Sequence, residues 1–590
     1  MRSQLSKALL KVLTLAVLST IGYAPASDRI ATGEEVLVAP NPPGTYGGHL
    51  VVALRAEPKT LNPVLANDVP SREVINQMTA DLIHINRYSQ QSEADLTKSW
   101  SASSDGLHYT LQLRRGLRFS DGVLLDADDV LFTFKVYLDE KVNAPQRDSL
   151  IVGDKPIVVG KTGPYTVTFD LARPYASAER LFDSVVILPR HLLEVPYSEG
   201  KLAQAWSLNT PPGEIAGLGP FRLKQYVPGQ RITLERNPYY WKVDRKGNRL
   251  PYLDEVTFLF AGNEDAEVLR FEAGETDIIN RVGAENYALL EKQQTSHGFR
   301  LYDLGPGLEY NFLLLNLNSN LPSQANEIRR KQAWFEEVKF RQAISSAIDR
   351  DGINRIVYQG RGSAIWTHVT PGNRLWADQQ IPHPAHSLDR SRALLKAAGF
   401  SWRSDGTLID SHGTEVEFSI ITSSSSNQRT QMATIIQQDL KELGIRVQVV
   451  PLEFRAMLDR VLQSHNYEAA VMGLGGGDID PNSQLNVWLS SGDDHLWDLG
   501  ESHPATAWEE EMDQLMKRQM STLSATERKR LYDRVQEIEV EEVPLIFLVS
   551  PNVMVGARDR VRNFEPAILD SHTLWNSEQL FVDNEARARK

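Results

Sequence analysis

Two periodicities alternate along almost the whole chain, and that alternation limits the fold more than any other feature. Apolar residues three to four apart mark helices, and strict apolar–polar alternation marks half-buried strands. The clearest unit lies late in the chain. Residues 427–443 set Ala433, Ile436, Leu440 and Leu443 on one stripe, Gly444 follows as a helix stop, and Ile445-Arg-Val-Gln-Val449 alternates as a strand. Residues 107–113 and 165–171 alternate in the same way. Residues 73–85 carry Val74, Met78, Leu82 and Ile85 at helical spacing, which predicts one helix through Ile85. Asp126-Ala-Asp-Asp129 caps a helix through Val130, Phe134 and Leu138, and residues 263–273 form another that stops at Gly274. Helical spacing also covers 338–348 and 525–541, the latter followed by the apolar stretch Pro544-Leu-Ile-Phe-Leu-Val549. No unit repeats at a fixed period, so the fold class is α/β in the broad sense (mixed α+β), divided into two or three lobes.

Composition removes whole classes of chemistry. The 590 residues contain no cysteine, which excludes thiol nucleophiles, Cys-ligated zinc, iron–sulfur clusters and disulfides. A formal charge of −13 argues against a nucleic-acid partner, whose footprint is basic. The N-terminus has the three-part layout of a cleaved secretory signal: Arg2, Lys7 and Lys11, then an apolar run over 12–22, then Ala24-Pro-Ala26. The run is too short to span a bilayer, and no cysteine follows it for lipid attachment. Removing residues 1–26 takes away three bases and no acid, which moves the formal charge to −16. Residues 27–48, rich in Pro, Gly and Ala, read as a leader of low order. A periplasmic location follows from this layout.

The motifs then resemble a known family. Trp100-Ser-Ala-Ser-Ser-Asp-Gly-Leu-His-Tyr-Thr-Leu-Gln-Leu-Arg-Arg-Gly-Leu-Arg-Phe-Ser-Asp-Gly122, with Asp126-Ala-Asp-Asp-Val130, is similar to the signature of bacterial extracellular solute-binding proteins of the peptide/nickel group, family 5. Gly217-Leu-Gly-Pro-Phe221, Leu234-Glu-Arg-Asn-Pro-Tyr-Tyr-Trp241, Gly274-Glu-Thr-Asp-Ile278, Phe340-Arg-Gln-Ala-Ile344, Ala347-Ile-Asp-Arg350, Leu440-Lys-Glu-Leu-Gly-Ile445 and Val543-Pro-Leu545 extend the resemblance in order along the chain. It implies a periplasmic-binding-protein-like fold with two ligand-binding lobes on a hinge and a third, smaller lobe. Lobe I would comprise 49–62, 214–307 and 549–590, lobe II 63–213 and lobe III 308–548, with ligand held between lobes I and III. The implied function is that of the substrate-binding protein of an ABC importer: a monomer that captures peptides or peptide-like solutes and delivers them to permease subunits in the inner membrane, with no chemistry and no cofactor. A receptor for an oligosaccharide, an opine or another amide-bearing metabolite is the alternative, and a secreted hydrolase a more distant one.

Candidate ligand residues fall in three places. Leu474-Gly475-Gly476-Gly477-Asp478 matches the stretch that lines the pocket of oligopeptide receptors. Counted back without gaps from Pro481, Leu474 stands where those receptors carry Trp, and Gly477 where they carry the Asp that pairs with a peptide's amino group. Asp478 is adjacent, although neighbours in a strand face opposite ways. The resemblance also implies ligand contact for Asn67 and Val69, after the first strand, and for Glu309, Tyr310 and Asn311, at the entry to lobe III. Asn67 and Asn311 would bond ligand amides and Tyr310 would offer a flat wall. No metal site is read: His383-Pro-Ala-His386 lacks the helical spacing of a zinc motif. Ser423-Ser-Ser-Ser426 reads as a cap for the 427 helix, and Trp508-Glu-Glu-Glu511 as the start of a helix whose acids suit the dipole.

Overall fold

A computed structural model describes residues 30, 32–183, 185–322, 325–475, 478–501 and 503–583. The secretory signal read over 1–26 and the glycines Gly476 and Gly477 lie outside the described residues. Three sheets organise the chain. The largest runs Phe299–Pro306, Val549–Arg558, Ile278–Ile279, His49–Leu54, Glu255–Phe260, Arg231–Arg236, Phe221–Val227, with Gly362–Ala364 added beside Val549–Arg558. Its strands come from stretches more than 500 residues apart. A five-strand sheet runs Arg446–Leu452, Glu417–Ser423, Ala469–Leu474, Tyr310–Leu315, Leu545–Phe547. A four-strand antiparallel sheet, Thr97–Ala102, His108–Leu113, Thr166–Asp170, Val158–Gly163, sits in the stretch between the first two strands of the large sheet in chain order.

Local chemistry accounts for the elements. The helix Ala127–Leu138 begins with a capping box, in which Asp126 bonds the backbone of the first turn and Asp129 bonds back to the Asp126 amide. Ser426 caps Asn427–Lys441, whose stripe of Met432, Ala433, Ile436 and Leu440 is buried. The alternation of 165–171 appears as Thr166–Asp170 with Val167 and Phe169 fully buried.

Two expectations change. The helix read over 73–85 runs from Val69 to Met78, and Ile83–Ile85 is a strand. The chain turns because Gly219 N–H donates to the Met78 carbonyl at 3.0 Å, and the backbones of Gly217 and Gly219 press so close to Met78 that a Cβ on either glycine would overlap it. The supposedly loose leader is pinned from Glu34 onward. Glu34 makes a buried two-pronged pair with Arg249 at 2.8 and 2.9 Å, and Leu37–Val38 pairs in parallel with Lys242–Val243. Charge pairing supplies the order that its Pro- and Gly-rich composition does not.

The chain crosses between the large and five-strand sheets at 307–309 and again at 548–549, and between them it touches the large sheet once more, where Gly362–Ala364 pairs with residues 549–551. Asn311 fastens the two crossings together: its Nδ2 donates to the Val549 carbonyl at 3.1 Å, and Leu548 N–H donates to the Asn311 carbonyl at 2.8 Å. No helix among the described residues is long and apolar enough to cross a membrane.

Candidate functional site

One cavity of about 490 Å³ lies where the three sheet units meet. Such a volume falls within the roughly 300–1,000 Å³ of small-solute sites. More than half of its lining comes from residues 63–186, including the helix Val69–Met78 and the strand Ile83–Ile85. The rest comes from Pro220, Tyr240 and Lys242, from 569–578, and from Asp478–Ser483. The wall supplied by 63–186 goes beyond the expected cleft between 49–62/214–307/549–590 and 308–548. Ile85, Ile479 and Leu569, one from each separated stretch, pack into a small buried cluster with Leu308 against it.

Polar contacts across the junction hold the units against one another. Ala176 N–H donates to the Met520 carbonyl at 2.6 Å, Arg528 Nη1 to Ser177 Oγ at 3.0 Å, and Gln90 Nε2 to the Gly372 carbonyl at 3.1 Å. Asp478 receives both arms of Arg180, at 2.8 and 2.6 Å, which joins the two units with a charge-assisted fork. Two residues on, Asp480 receives both arms of the buried Arg528, at 2.7 and 2.6 Å.

The charges of the wall are mostly spent on one another. Arg87 grips Asp183 Oδ2 at 3.2 and 3.3 Å while Ile85 N–H donates to Oδ1 at 2.6 Å. Lys242 lies 3.0 Å from Asp95 and 3.8 Å from Glu578. Burial opposes its charge, but these acids, chiefly Asp95, outweigh burial and keep the ammonium protonated. Burial, then Arg87, pushes the His84 imidazole down to about 3, so its 3.6 Å approach to Asp183 is not an ion pair. Asp81 stands apart: its carboxyl has no hydrogen-bond or ion-pair partner among the described residues. Burial first, then the charges of Asp183 and Asp95, hold it well above the ordinary carboxylate range. Arg72, exposed on the cavity's lining, likewise has no ion pair among the described residues.

The residues singled out from sequence are distributed differently from the expectation. Asp478 lines the cavity, but its carboxylate is committed to Arg180. Leu474 ends a strand and is half-buried, while Gly475 is exposed with open space around it. Tyr310 and Asn311 are buried on the strand Tyr310–Leu315, between Ala469–Leu474 and Leu545–Phe547 in the five-strand sheet, with Tyr310 opposite Leu474 and Asn311 opposite Gly473, and neither contributes to the cavity lining. The Tyr310 hydroxyl donates to Gln484 Oε1 at 3.1 Å, and its ring packs on Phe547 and His368. Asn311 has its amide filled by Val549 and Tyr358, and its carbonyl by Arg429 at 3.1 Å. Glu309 pairs with the same Arg429 at 3.1 Å. Asn67 and Val69 are exposed at the start of their helix, where the neighbouring Asp68 makes the cap; the cavity lining takes Pro63 and Ala66 before them and Arg72, Ile75 and Asn76 after them, but neither of the two. Sequence reasoning missed Asp81, His84, Arg87, Arg180, Asp183 and Lys242. The available signal was charge set among apolar neighbours, as in Asp81-Leu-Ile-His84-Ile.

The family model for bacterial extracellular solute-binding proteins, family 5 (middle region), matches residues 91–495, more than two-thirds of the chain. The chain belongs to this family. It is 26% identical over 528 residues to a probable ABC transporter-binding protein of Deinococcus radiodurans, covering 85% of this chain and 87% of the relative. It is 26% identical over 529 residues to the oligopeptide-binding protein AppA of Bacillus subtilis, covering 88% and 89%. The structure of that AppA with a nonapeptide superposes with a TM-score of 0.68 at 25% identity, over 92% of this chain and all of AppA. The periplasmic binding protein MelB of Agrobacterium fabrum, in complex with stachyose, has the same fold at TM-score 0.68 and 21% identity, over 94% of this chain and 86% of MelB. The mixed α/β binding-protein fold and the solute-binding class are therefore those of this family-5 chain.

Proposed function

We propose that this family-5 protein is the exported receptor of an ABC importer, which takes peptides or peptide-like solutes into the cavity and passes them chemically unaltered to a membrane permease. It works in the periplasm as a monomer, freed from its secretory signal. The observation that carries this reading is the carboxylate of Asp81. It lines a charge-studded cavity in which Arg87, Lys242 and Arg180 are already paired with other acids, and it awaits a positive group. A peptide's amine supplies one, and Arg72 offers a counter-charge for a carboxylate. Asp81 thereby takes the amine-pairing role that Gly477 cannot fill and that Asp478 has given to Arg180. Aromatic and aliphatic surface from Tyr175, Trp575 and Leu569 accommodates apolar side chains.

Opening and closing follow from the same contacts. The crossings tied by Asn311 act as the hinge. Separating the units exposes Ile85, Ile479 and Leu569, at about 1.5–3 kcal/mol for each fully buried side chain. A solute favours the closed form by as much as it prefers it. The same charges suit an opine, which also carries amine and carboxylate groups, better than a neutral sugar.

The test is thermal unfolding with a pool of short peptides, with the same pool after complete N-acetylation, and with stachyose. A bound solute stabilises the fold by about 2.7 kcal/mol at one hundred times Kd. The unmodified pool should raise Tm and the acetylated pool should not. A response to both peptide pools would remove the amine contact and leave the peptide reading. A response to stachyose alone would overturn both.

A further inference from the structure

A histidine and two glutamates converge inside the five-strand unit, away from the cavity. His495 and Glu509 are buried, and the Glu501 side chain is 7% exposed. His495 Nε2 lies 3.6 Å from Glu501 Oε2 and 3.8 Å from Glu509 Oε1, and one ligand atom from each residue falls within 4.8 Å of the other two. The other ring nitrogen, Nδ1, is 3.2 Å from the Val487 carbonyl. A carbonyl accepts only, so Nδ1 donates to it, and Nε2 is the ring nitrogen that faces the two carboxylates.

The three groups face one another with no lysine or arginine between them among the described residues. His495 Nε2 and both Glu501 oxygens are buried without a hydrogen-bond partner. Neither glutamate forms an ion pair with a lysine or arginine among the described residues. Glu509 is held from outside: the Thr506 amide and hydroxyl donate to Oε2 at 2.9 and 2.7 Å in a capping box, and Trp497 Nε1 donates to Oε1 at 3.0 Å. Burial, then Glu509 and Asp498, pushes the Glu501 carboxyl up to about 7. An imidazole nitrogen and two sequestered acids facing one another call for a cation between them, either a proton on Nε2 or a metal ion that replaces it.

We propose that His495, Glu501 and Glu509 bind one divalent transition-metal ion of the zinc class. Bonds of about 2.1 Å to nitrogen and oxygen place tetrahedral donors about 3.4 Å apart, so the two histidine–glutamate separations of 3.6 and 3.8 Å need to contract by a few tenths of an ångström, and the two glutamate oxygens, within 4.8 Å of each other, close to the same spacing. Val487 plays the part of the carbonyl that orients a metal-bound histidine through its second nitrogen, and Trp497 and Thr506 orient Glu509. Val487 belongs to the short helix Leu485–Trp488, which follows directly on the Asp478–Ser483 wall of the cavity. The ion would brace that wall from behind.

The full chain, stripped with a chelator, is titrated with Zn²⁺ and, for its visible spectrum, with Co²⁺. Asp81, His84 and Asp183 form a second group of similar span, but with Arg87 and Lys242 beside it, so His84→Gln serves as the control. The expected result is about one Zn²⁺ per chain, a Co²⁺ band of four- or five-coordinate type, and a Tm raised by about 2 °C at one hundred times Kd. Glu501→Gln and His495→Gln should each weaken Zn²⁺ at least tenfold, and His84→Gln should leave it unchanged. The wild-type stoichiometry requires no variant to fold. Absence of Zn²⁺ binding in the wild type, equal affinity in Glu501→Gln, or its loss in His84→Gln would overturn the site.

Discussion

Two clusters in this protein use the same three ligand types, one histidine and two carboxylates, and differ in what surrounds them. Asp81, His84 and Asp183 open onto the cavity, with Arg87 on Asp183 and Lys242 on the adjoining Asp95. His495, Glu501 and Glu509 are sealed among Trp497, Val487 and the first turn of the helix Ala507–Ser521. The first already holds protein cations and has one acid to spare for a visiting solute. The second has no lysine or arginine paired to it among the described residues and fits a resident ion. The lesson is that a deeply placed acid here either takes a positive or hydrogen-bonding partner or, like Glu73, has its carboxyl pushed up to about 7 by burial, and the source of a partner shows what the region is for. Asp480 takes it from Arg528, and Glu539 from His368, whose ring and backbone amide contact its two oxygens at 2.7 and 3.0 Å.

The largest effect should appear where a buried acid loses a partner supplied by the protein. In the Arg528–Asp480 pair the side chains are 2% and 8% exposed. Arg528→Met strands the carboxylate and should cost about 3–5 kcal/mol in urea unfolding. A loss below about 1 kcal/mol would mean that this acid does not need its arginine, and the contrast between the clusters would lose its basis.

Next in size is the acid reserved for the solute. Asp81→Asn should weaken unmodified peptides at least tenfold, about 1.4 kcal/mol, in calorimetric titration, with little change in the unfolding midpoint. Equal affinity would remove the distinction between a spare acid and a paired one.

The smallest effect is a slope. His84 titrates near 6.5 unfolded and is pushed down to about 3 in the fold by burial and Arg87, so between these values the unfolded chain binds more protons. Its contribution is complete above about pH 6.5 and is lost as pH falls toward 3, at up to about 1.4 kcal/mol per unit. His84→Gln should flatten the fall in stability between pH 6.5 and 5 by up to that slope. An unchanged profile would mean that the ring titrates normally and that the cavity cluster is not cationic in character.

Much of the fold was legible because it rests on local signals. The capping box at Asp126, the stripe on 427–441 and the alternation of 166–170 are written in neighbouring residues. The helix at 69–78 was read too long because its end is imposed from outside, by Gly217 and Gly219 pressing on Met78. The site was far less legible. Tyr310 and Asn311 look like ligand contacts on a strand of unknown placement, yet Phe547 and His368 against the Tyr310 ring, and Val549, Tyr358 and Arg429 around the Asn311 amide, bury them. Asp478 was a sound pointer to the cavity wall, but its partner Arg180 lies almost 300 residues away in sequence. Asp81 and Lys242 sit in no motif at all; only the assembly of three separated stretches turns them into a lining.

The most direct measurement is the crystal structure of the protein with a peptide retained from the unmodified pool. The expected result is a peptide enclosed in the cavity beside Asp478 and Trp575, with an amine nitrogen about 2.7–3.0 Å from an Asp81 carboxylate oxygen. A solute lodged outside this cavity, or one inside it that leaves Asp81 without a cation, would contradict the account.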